Sequence, residues 1–295
     1  MALRFKNIAI IGRQNNPGIA KTLCALIKHL QTKAIKVFLE HDTAMTLPSC
    51  KIPTVQRDKL KDFCDLIIVV GGDGSLLNAA RTAARQKLPI VGINRGNLGF
   101  LTDITPKNIA KIDDILAGNY HAEHRFLLTA KMENQNKLIA ENLALNDIVL
   151  LSYTTGHMIE FAVYVDQKFL CNYRADGLII ATPTGSTAHA LSSGGPILYP
   201  TLENVVLVPV LSHNLSSRPI VISSNSKIKI VFNESNPTDL LVLCDGQTQT
   251  MLQGGTIKIS KAKEKLRLLH PADYNYFEIL RTKLNWEKDH KKSKR

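Results

Sequence analysis

The sequence predicts two domains: an α/β N-terminal domain with a Rossmann-like parallel sheet, and a mainly antiparallel, all-β C-terminal domain. Three observations carry that prediction. The chain has 295 residues, 44% of them hydrophobic, which suits a packed protein larger than one core commonly holds. Through about residue 120, short apolar runs alternate with helical periodicity; continuous apolar strands separated by helices mean a parallel sheet covered on both faces. Beyond His124 the runs are mostly strands, several alternating polar with apolar residues, as half-exposed antiparallel sheets do. The domains are read as 1–123 and 124–269, with the segment 270–295 able to pack back on the first.

Taken in order, Ile8-Ala-Ile-Ile11 is a buried strand, and beyond the loop from Gly12 to Pro17 the residues Ile19, Leu23, Leu26, Ile27 and Leu30 recur at helical spacing. Lys36–Leu39 and Leu66–Val70 are further strands, Leu76–Gln86 is an alanine-rich helix, and Ile90–Ile93 is a fourth strand. A helix is expected over Pro106–Leu116, with proline at its start and Gly118 just past its end. In the second domain, strands are expected at Leu127–Lys131, Ile148–Leu151, Ile159–Val165, Val205–Val210, Lys227–Phe232, Leu240–Leu243 and Thr256–Ser260. Lys227 and Lys229 alternate with apolar neighbours and form a solvated face. One Gly/Thr/Ser-rich segment, Asp176–Gly195, interrupts these strands, and the polar residues after Trp286 are expected to fray.

The balance of 37 Lys+Arg against 25 Asp+Glu gives a net charge of +12, of which +4 belongs to the stretch Lys283–Arg295. Such a charge suits nucleic acid, an anionic membrane or a small polyanionic substrate, and composition does not choose among them. No stretch approaches the ~20 apolar residues that cross a bilayer. The apolar run Ile8–Ile11 after the basic N-terminus is too short for a secretory signal. The five cysteines are odd in number and scattered, with no Cys-x-x-Cys, so neither a disulfide framework nor a zinc site is indicated and a cytoplasmic setting is expected. Cys24, Cys64, Cys171 and Cys244 have apolar neighbours and are expected in the core, whereas Cys50 is expected in an exposed loop. The histidines at 29, 41, 121, 124, 213, 270 and 290 show no ligand spacing and read as surface or structural groups.

Two segments carry chemistry. In Leu66-Ile-Ile-Val-Val-Gly-Gly-Asp-Gly-Ser75 a buried strand runs through three glycines and one carboxylate, Asp73, into a helix. Ligands of parallel α/β sheets sit outside the carboxyl ends of the strands. Glycines there let a phosphate approach backbone N–H groups, helped by the helix N-terminus. Asp73 could instead cap the helix, but a cap does not need three glycines around it. The Rossmann fingerprint fails because Leu77 stands at its third glycine, and no P-loop exists. The second segment, Arg174 to Pro196, joins a strand to a loop bearing Thr182, Thr184, Ser186 and Thr187. Small hydroxyls and exposed amides of this kind bind ribose and phosphate groups. Taken alone, Asn146-Asp147 reads only as a turn that opens a strand.

Together these segments resemble the NAD kinase family over nearly the whole chain. The resemblance rests on Gly71-Gly-Asp-Gly74, Asn94-Arg-Gly-Asn-Leu-Gly-Phe100, Asn146-Asp147, Asp176–Gly195 and Asp245-Gly-Gln247. His157-Met-Ile-Glu-Phe161 and His270-Pro-Ala-Asp-Tyr274 look like its bacterial branch. Phosphofructokinases and lipid kinases share a similar Gly-Asp-Gly loop, so the specificity comes from its combination with the Thr182-Pro-Thr-Gly-Ser-Thr187 loop.

The resemblance implies ATP-dependent phosphorylation of the 2′-hydroxyl of the adenosine ribose of NAD, with Mg²⁺ or Mn²⁺. Asp73 would be the proton acceptor, and Gly71, Gly72 and Gly74 the phosphate-binding amides. The NAD contacts would be Asp73, Gly74, Asn146, Asp147, His157, Arg174, Asp176, Thr187, Ala188, His189, Ala190, Leu191, Ser192 and Gln247. A homodimer or homotetramer is implied, with no nucleic acid or membrane partner. Two residues depart from the family pattern. Asp147 stands where glutamate is usual, and His189 stands where tyrosine is usual; an imidazole there adds a group that titrates near neutrality. A lipid or sugar kinase is the runner-up within enzymes. An idle dinucleotide sensor is the alternative outside them, although Asp73 would then serve no purpose. A nucleic-acid reader lacks any recognisable module.

Overall fold

The computed structural model describes residues 3–13, 18–96, 99–153, 158–214, 216–232 and 239–286. The chain divides into two compact units, one formed by 1–124 with 266–295 and the other by 125–265.

The first unit begins with β1 (Asn7–Gly12), α1 (Ile19–Gln31), β2 (Lys36–Glu40), α2 (His41–Ala44), β3 (Thr54–Val55), α3 (Leu60–Phe63), β4 (Leu66–Gly71), α4 (Asp73–Gln86), β5 (Pro89–Asn94) and α5 (Lys111–Ala117). Its strands pair in parallel in the order β3-β2-β1-β4-β5, with Ile8 beside Val37 and Leu66, and Ile68 beside Val91. Every residue of β4 and β5 is buried, as sheets covered on both faces require. Leu23, Leu26 and Leu30 of α1 pack with Ile10, Ile68 and Ile93 in one core. Cys24 lies on the other face of α1 and is exposed, against expectation; Cys50 and Cys171 are half-buried, and only Cys64 and Cys244 are buried. Position on the helical face, not an apolar neighbour in sequence, decided the fate of Cys24. The helix expected over Pro106–Leu116 is a 3-10 turn, Pro106–Asn108, followed by α5 and stopped at Gly118 with φ 97°.

The second unit contains most of β6 (Tyr120–Asn134), then β7 (Lys137–Ala144), β8 (Asp147–Ser152), β9 (Ile159–Val165), β10 (Lys168–Ala175), β11 (Gly177–Ala181), α6 (His189–Ser192), β12 (Asn204–Val210), β13 (Ile220–Ser223), β14 (Ile228–Phe232), β15 (Leu240–Cys244), β16 (Thr248–Leu252) and the first part of β17 (Thr256–Pro271). One antiparallel sheet runs β13-β12-β11-β8-β15-β16, and β17, β14, β9 and β10 pair antiparallel in a second. Leu150, Leu178 and Leu207 from the first meet Phe161, Ile230 and Ile257 from the second in a shared core. The other face of the first sheet carries α6, with Ala190 packed on Ile179 and Val208. Lys227 and Lys229 are exposed, as their alternation predicted.

The last residues of β17 return to the first unit, pairing in parallel with β5 at Arg267–Pro89 and Leu268–Ile90. A final helix, α7 (Tyr276–Leu284), follows. Asn275 Oδ1 caps it by accepting from Phe277 N and Glu278 N at 3.0 and 3.3 Å. No described helix is long and apolar enough to cross a membrane.

Candidate active site

In the first unit, β4 ends at Gly71 and α4 starts at Asp73, three residues earlier than its alanine periodicity predicts. Asp73 does not cap the helix, whose N-cap, Gly72, makes no side-chain bond. Its carboxylate turns instead to the loop after β5. Oδ2 accepts from Phe100 N at 2.8 Å; Oδ1 accepts from Leu101 N at 3.1 Å and from Thr102 Oγ1 at 2.9 Å. A carboxylate offers about four lone-pair sites, so these three donors leave one site on Oδ2 that no described residue fills.

The loop that grips Asp73 is itself ordered by Asn94. Asn94 Nδ2 donates to Thr102 Oγ1 at 2.8 Å, Asn94 Oδ1 accepts from Gly96 N at 2.8 Å, and Asn94 N donates to Ile104 O at 2.7 Å. Two glycines are fixed by close approach. A Cβ on Gly99 would lie 2.0 Å from Asp73 Oδ1, and one on Gly71 would lie 2.2 Å from Ser75 Oγ. Gly72 and Gly74 differ: a Cβ on either would meet nothing within 4 Å. Gly71 is buried and shapes the turn, whereas Gly72 and Gly74 leave its outer side open to a ligand at the helix N-terminus.

In the second unit, three loops meet at one end of the first sheet, because Ala181 of β11 pairs with Asp147 of β8, whose other neighbour is β15. Thr182 N donates to Asn146 O at 2.8 Å, and Thr182 Oγ1 donates to Leu145 O at 2.6 Å. Asp245 accepts from Leu145 N and Asn146 N at 3.1 and 2.7 Å. Asp245 and Gly246 are the two central residues of the tight turn between β15 and β16, both with positive φ, 55° and 65°, and Gln247 N donates to Cys244 O at 3.0 Å, a turn that Asp-Gly favours. The backbones of Gly185 and Asn146 touch, since a Cβ on Gly185 would lie 2.0 Å from Asn146 O. Buried Arg125 steadies the loop by donating to Thr184 Oγ1 at 3.0 Å; among the charged residues beside it in β6, nothing in the sequence singled it out.

Two polar groups mark this basin. Asn146 Oδ1 is buried with no hydrogen-bond partner among the described residues, and a buried acceptor in that state suits a ligand donor. Asp147 is fully buried, and His189 Nδ1 lies 3.1 Å from its Oδ2. The Asp147 hydrogen bond raises the His189 pKa above its ordinary 6.5 against the opposing effect of burial.

Thr187, Ala188, His189, Ala190, Leu191 and Ser192 therefore cluster with Asn146, Asp147 and Gln247. Arg174 and Asp176 do not. Asp176 precedes β11 whereas Thr182 follows it, so about 20 Å of extended strand separates them. Arg174, on β10, lines a different cavity of about 770 Å³ beside Phe161 and Tyr173 and pairs with Glu160 at 3.5 Å. His157 lies outside the described residues.

The first unit thus presents a carboxylate gripped beside an open glycine turn, and the second a basin of amide, hydroxyl and imidazole groups. The family model for the ATP-NAD kinase N-terminal domain matches residues 8–120, and that for the ATP-NAD kinase C-terminal domain matches 145–271. An NAD kinase of Pseudomonas entomophila is 50% identical over 285 residues, spanning 96% of each chain. One from Coxiella burnetii is also 50% identical, over 96% of this chain and 95% of its own. Among solved structures, an NAD kinase from Archaeoglobus fulgidus in complex with ATP superposes with a TM-score of 0.73 at 28% identity, over 94% of this chain and 98% of its own. Yeast NADH kinase complexed with NADH shares the fold, with a TM-score of 0.84 at 23% identity over 98% and 89% of the two chains. The chain belongs to the NAD kinase family.

Proposed function

As a member of that family the chain phosphorylates NAD to NADP with ATP, and we propose that Asp73 is the base that accepts the proton of the 2′-hydroxyl on the adenosine ribose. The observation that carries this reading is the grip on Asp73. Three donors fix the carboxylate in one orientation and leave a single acceptor site on Oδ2. As the hydroxyl oxygen attacks the γ-phosphorus, its proton passes to that site and ADP departs. The catalysis is positioning and charge stabilisation more than covalent chemistry.

The turn Gly71-Gly72-Asp73-Gly74 is where we place phosphate oxygens, against the N-terminus of α4. Among the described residues no group of three or more His, Cys, Asp or Glu side chains could hold a metal ion. Mg²⁺ commonly enters such sites on nucleotide phosphates with few protein ligands. The divalent cation, Mg²⁺ or Mn²⁺, is therefore read as part of the ATP substrate. The dinucleotide lies against Asn146, Asp147, Thr187–Ser192 and Gln247, with Asn146 Oδ1 accepting from a ribose hydroxyl or a base amine. His157 is kept as a contact by family resemblance alone. Arg174 and Asp176 cannot join the Asp147 basin of their own chain, so we place them at a dinucleotide held by another copy, in a homodimer or homotetramer. Five scattered cysteines, odd in number and without a Cys-x-x-Cys, suit action in the cytoplasm.

The test is Asp73→Asn, assayed by conversion of NAD to NADP with ATP and Mg²⁺. The expected outcome is a fall in kcat of about 10²–10⁴ in a variant that still folds. Near-normal turnover would reduce Asp73 to a loop anchor.

A further inference from the structure

The loop that grips Asp73 has a second anchor, on its far side. Asp103 directly follows Thr102, and its Oδ2 lies 2.7 Å from Nδ1 of His270. Its other oxygen, Oδ1, is buried and has no partner among the described residues, so the histidine is the side chain that ties Asp103 down. His270 belongs to the last residues of β17, the strand beside β5, and β5 in turn supplies Asn94. The loop is thus held in front by Asn94 and behind by His270.

The imidazole is fully buried and closely confined. Tyr274 stacks on it with ring centroids 3.8 Å apart and planes inclined by 18°, and the His121 ring is 6.5 Å away. Its Nε2 lies 3.3 Å from Glu123 Oε2, an ion-pair distance without hydrogen-bond alignment. Burial alone would depress the histidine's pKa, but the carboxylates of Asp103 and Glu123 override it and raise the value. Asp103 Oδ2, a carboxylate oxygen, accepts from Nδ1–H at 2.7 Å, a charge-assisted bond of the strong kind.

We propose that His270 is a positioning residue for phosphoryl transfer, fixing through Asp103 the loop whose amides and hydroxyl aim the Asp73 carboxylate. This rests on the reading of Asp73 as the base. A misplacement of about 1 Å that originates at a residue far from the chemistry can cost about 10²-fold in rate. The expected signature is a loss in kcat without a loss in affinity.

Asparagine and glutamine at this position separate the two sides of the ring. An Asn amide nitrogen falls near the place of Nδ1 and can still donate to Asp103, whereas Gln reaches toward the place of Nε2 and abandons Asp103. The expected result is that His270→Gln lowers kcat about 10- to 100-fold with the KM for NAD and for ATP within about twofold, and that His270→Asn recovers most of the loss. In an Asp73→Asn background, His270→Gln should add no further loss, because both changes remove the same function. If His270→Gln does not fold, Asp103→Asn, which weakens the same bond, replaces it in the cycle. Losses that multiply in the double variant, or equal losses in the Asn and Gln variants, would overturn the proposal and leave the role of Asp73 standing. Full turnover in Asp73→Asn alone would bring down both.

Discussion

At the scale of single residues, the candidate site turns on two carboxylates, Asp73 and Asp147, and on the side chains and amides that face them. The Gly71-Gly72-Asp73-Gly74 turn singles out Asp73 from sequence, but the residues that orient it lie 27 to 29 positions away, and nothing in their types announces it. Likewise Asp147 and His189, 42 residues apart, were two separate departures from a family pattern until the structure paired them at 3.1 Å. That pairing has a pH consequence. The folded-state pKa of His189 is raised, so the stability from the pair is complete below the ordinary value of 6.5 and is lost as pH climbs through the raised value. The thermal midpoint of the natural protein relative to His189→Tyr should therefore be most favourable in mildly acidic buffer and decline toward alkaline pH. A constant difference from pH 6 to 9 would show that imidazole and carboxylate are not coupled.

At the scale of elements, the parallel strands β1, β2, β4 and β5 were read from their apolar runs, β4 and β5 being buried on both faces, whereas the two-residue β3 was not. Short and half-exposed strands escaped notice. The strands β7, β10 and β16 alternate exposed and half-buried residues along much of their length, and their composition resembles loops. Helix α7 escaped too, although Asn275 ahead of Tyr276, Ile279 and Leu280 is a legible cap and stripe. Loop placement gives a sharper prediction. Gly99→Ala thrusts a methyl at Asp73 Oδ1, whereas Gly185→Ala thrusts one at Asn146 O. Overpacking of this sort costs about 1–3 kcal/mol. The functional losses should differ: Gly99→Ala should lower kcat about tenfold or more, and Gly185→Ala should chiefly raise the KM for NAD. Steady-state kinetics of the two variants, side by side, checks whether the two loops serve separate tasks.

At the scale of the whole molecule, the separation of Arg174 and Asp176 from the Asp147 basin predicts shared sites. Asp73→Asn and Asp176→Ala homo-oligomers, each impaired alone, should regain activity when unfolded and refolded together, to about a quarter of the natural value for a randomly mixed dimer. Absence of any recovery would return Asp176 to a local role. The charge of +12 suits a protein that gathers two polyanions, and kcat/KM should fall as salt screens that attraction; a rate indifferent to ionic strength would assign the charge elsewhere. The first unit is built from two distant stretches of chain, 1–124 and 266–295. During synthesis, strands β1 to β5 leave the ribosome with Asp73 already in place in sequence, then wait through 141 intervening residues. Only afterwards do the parallel partner of β5 and the histidine behind the Asp73 loop emerge. The half that bears the proposed base is thus the last to close, because its two stretches meet only after the whole second unit has been made.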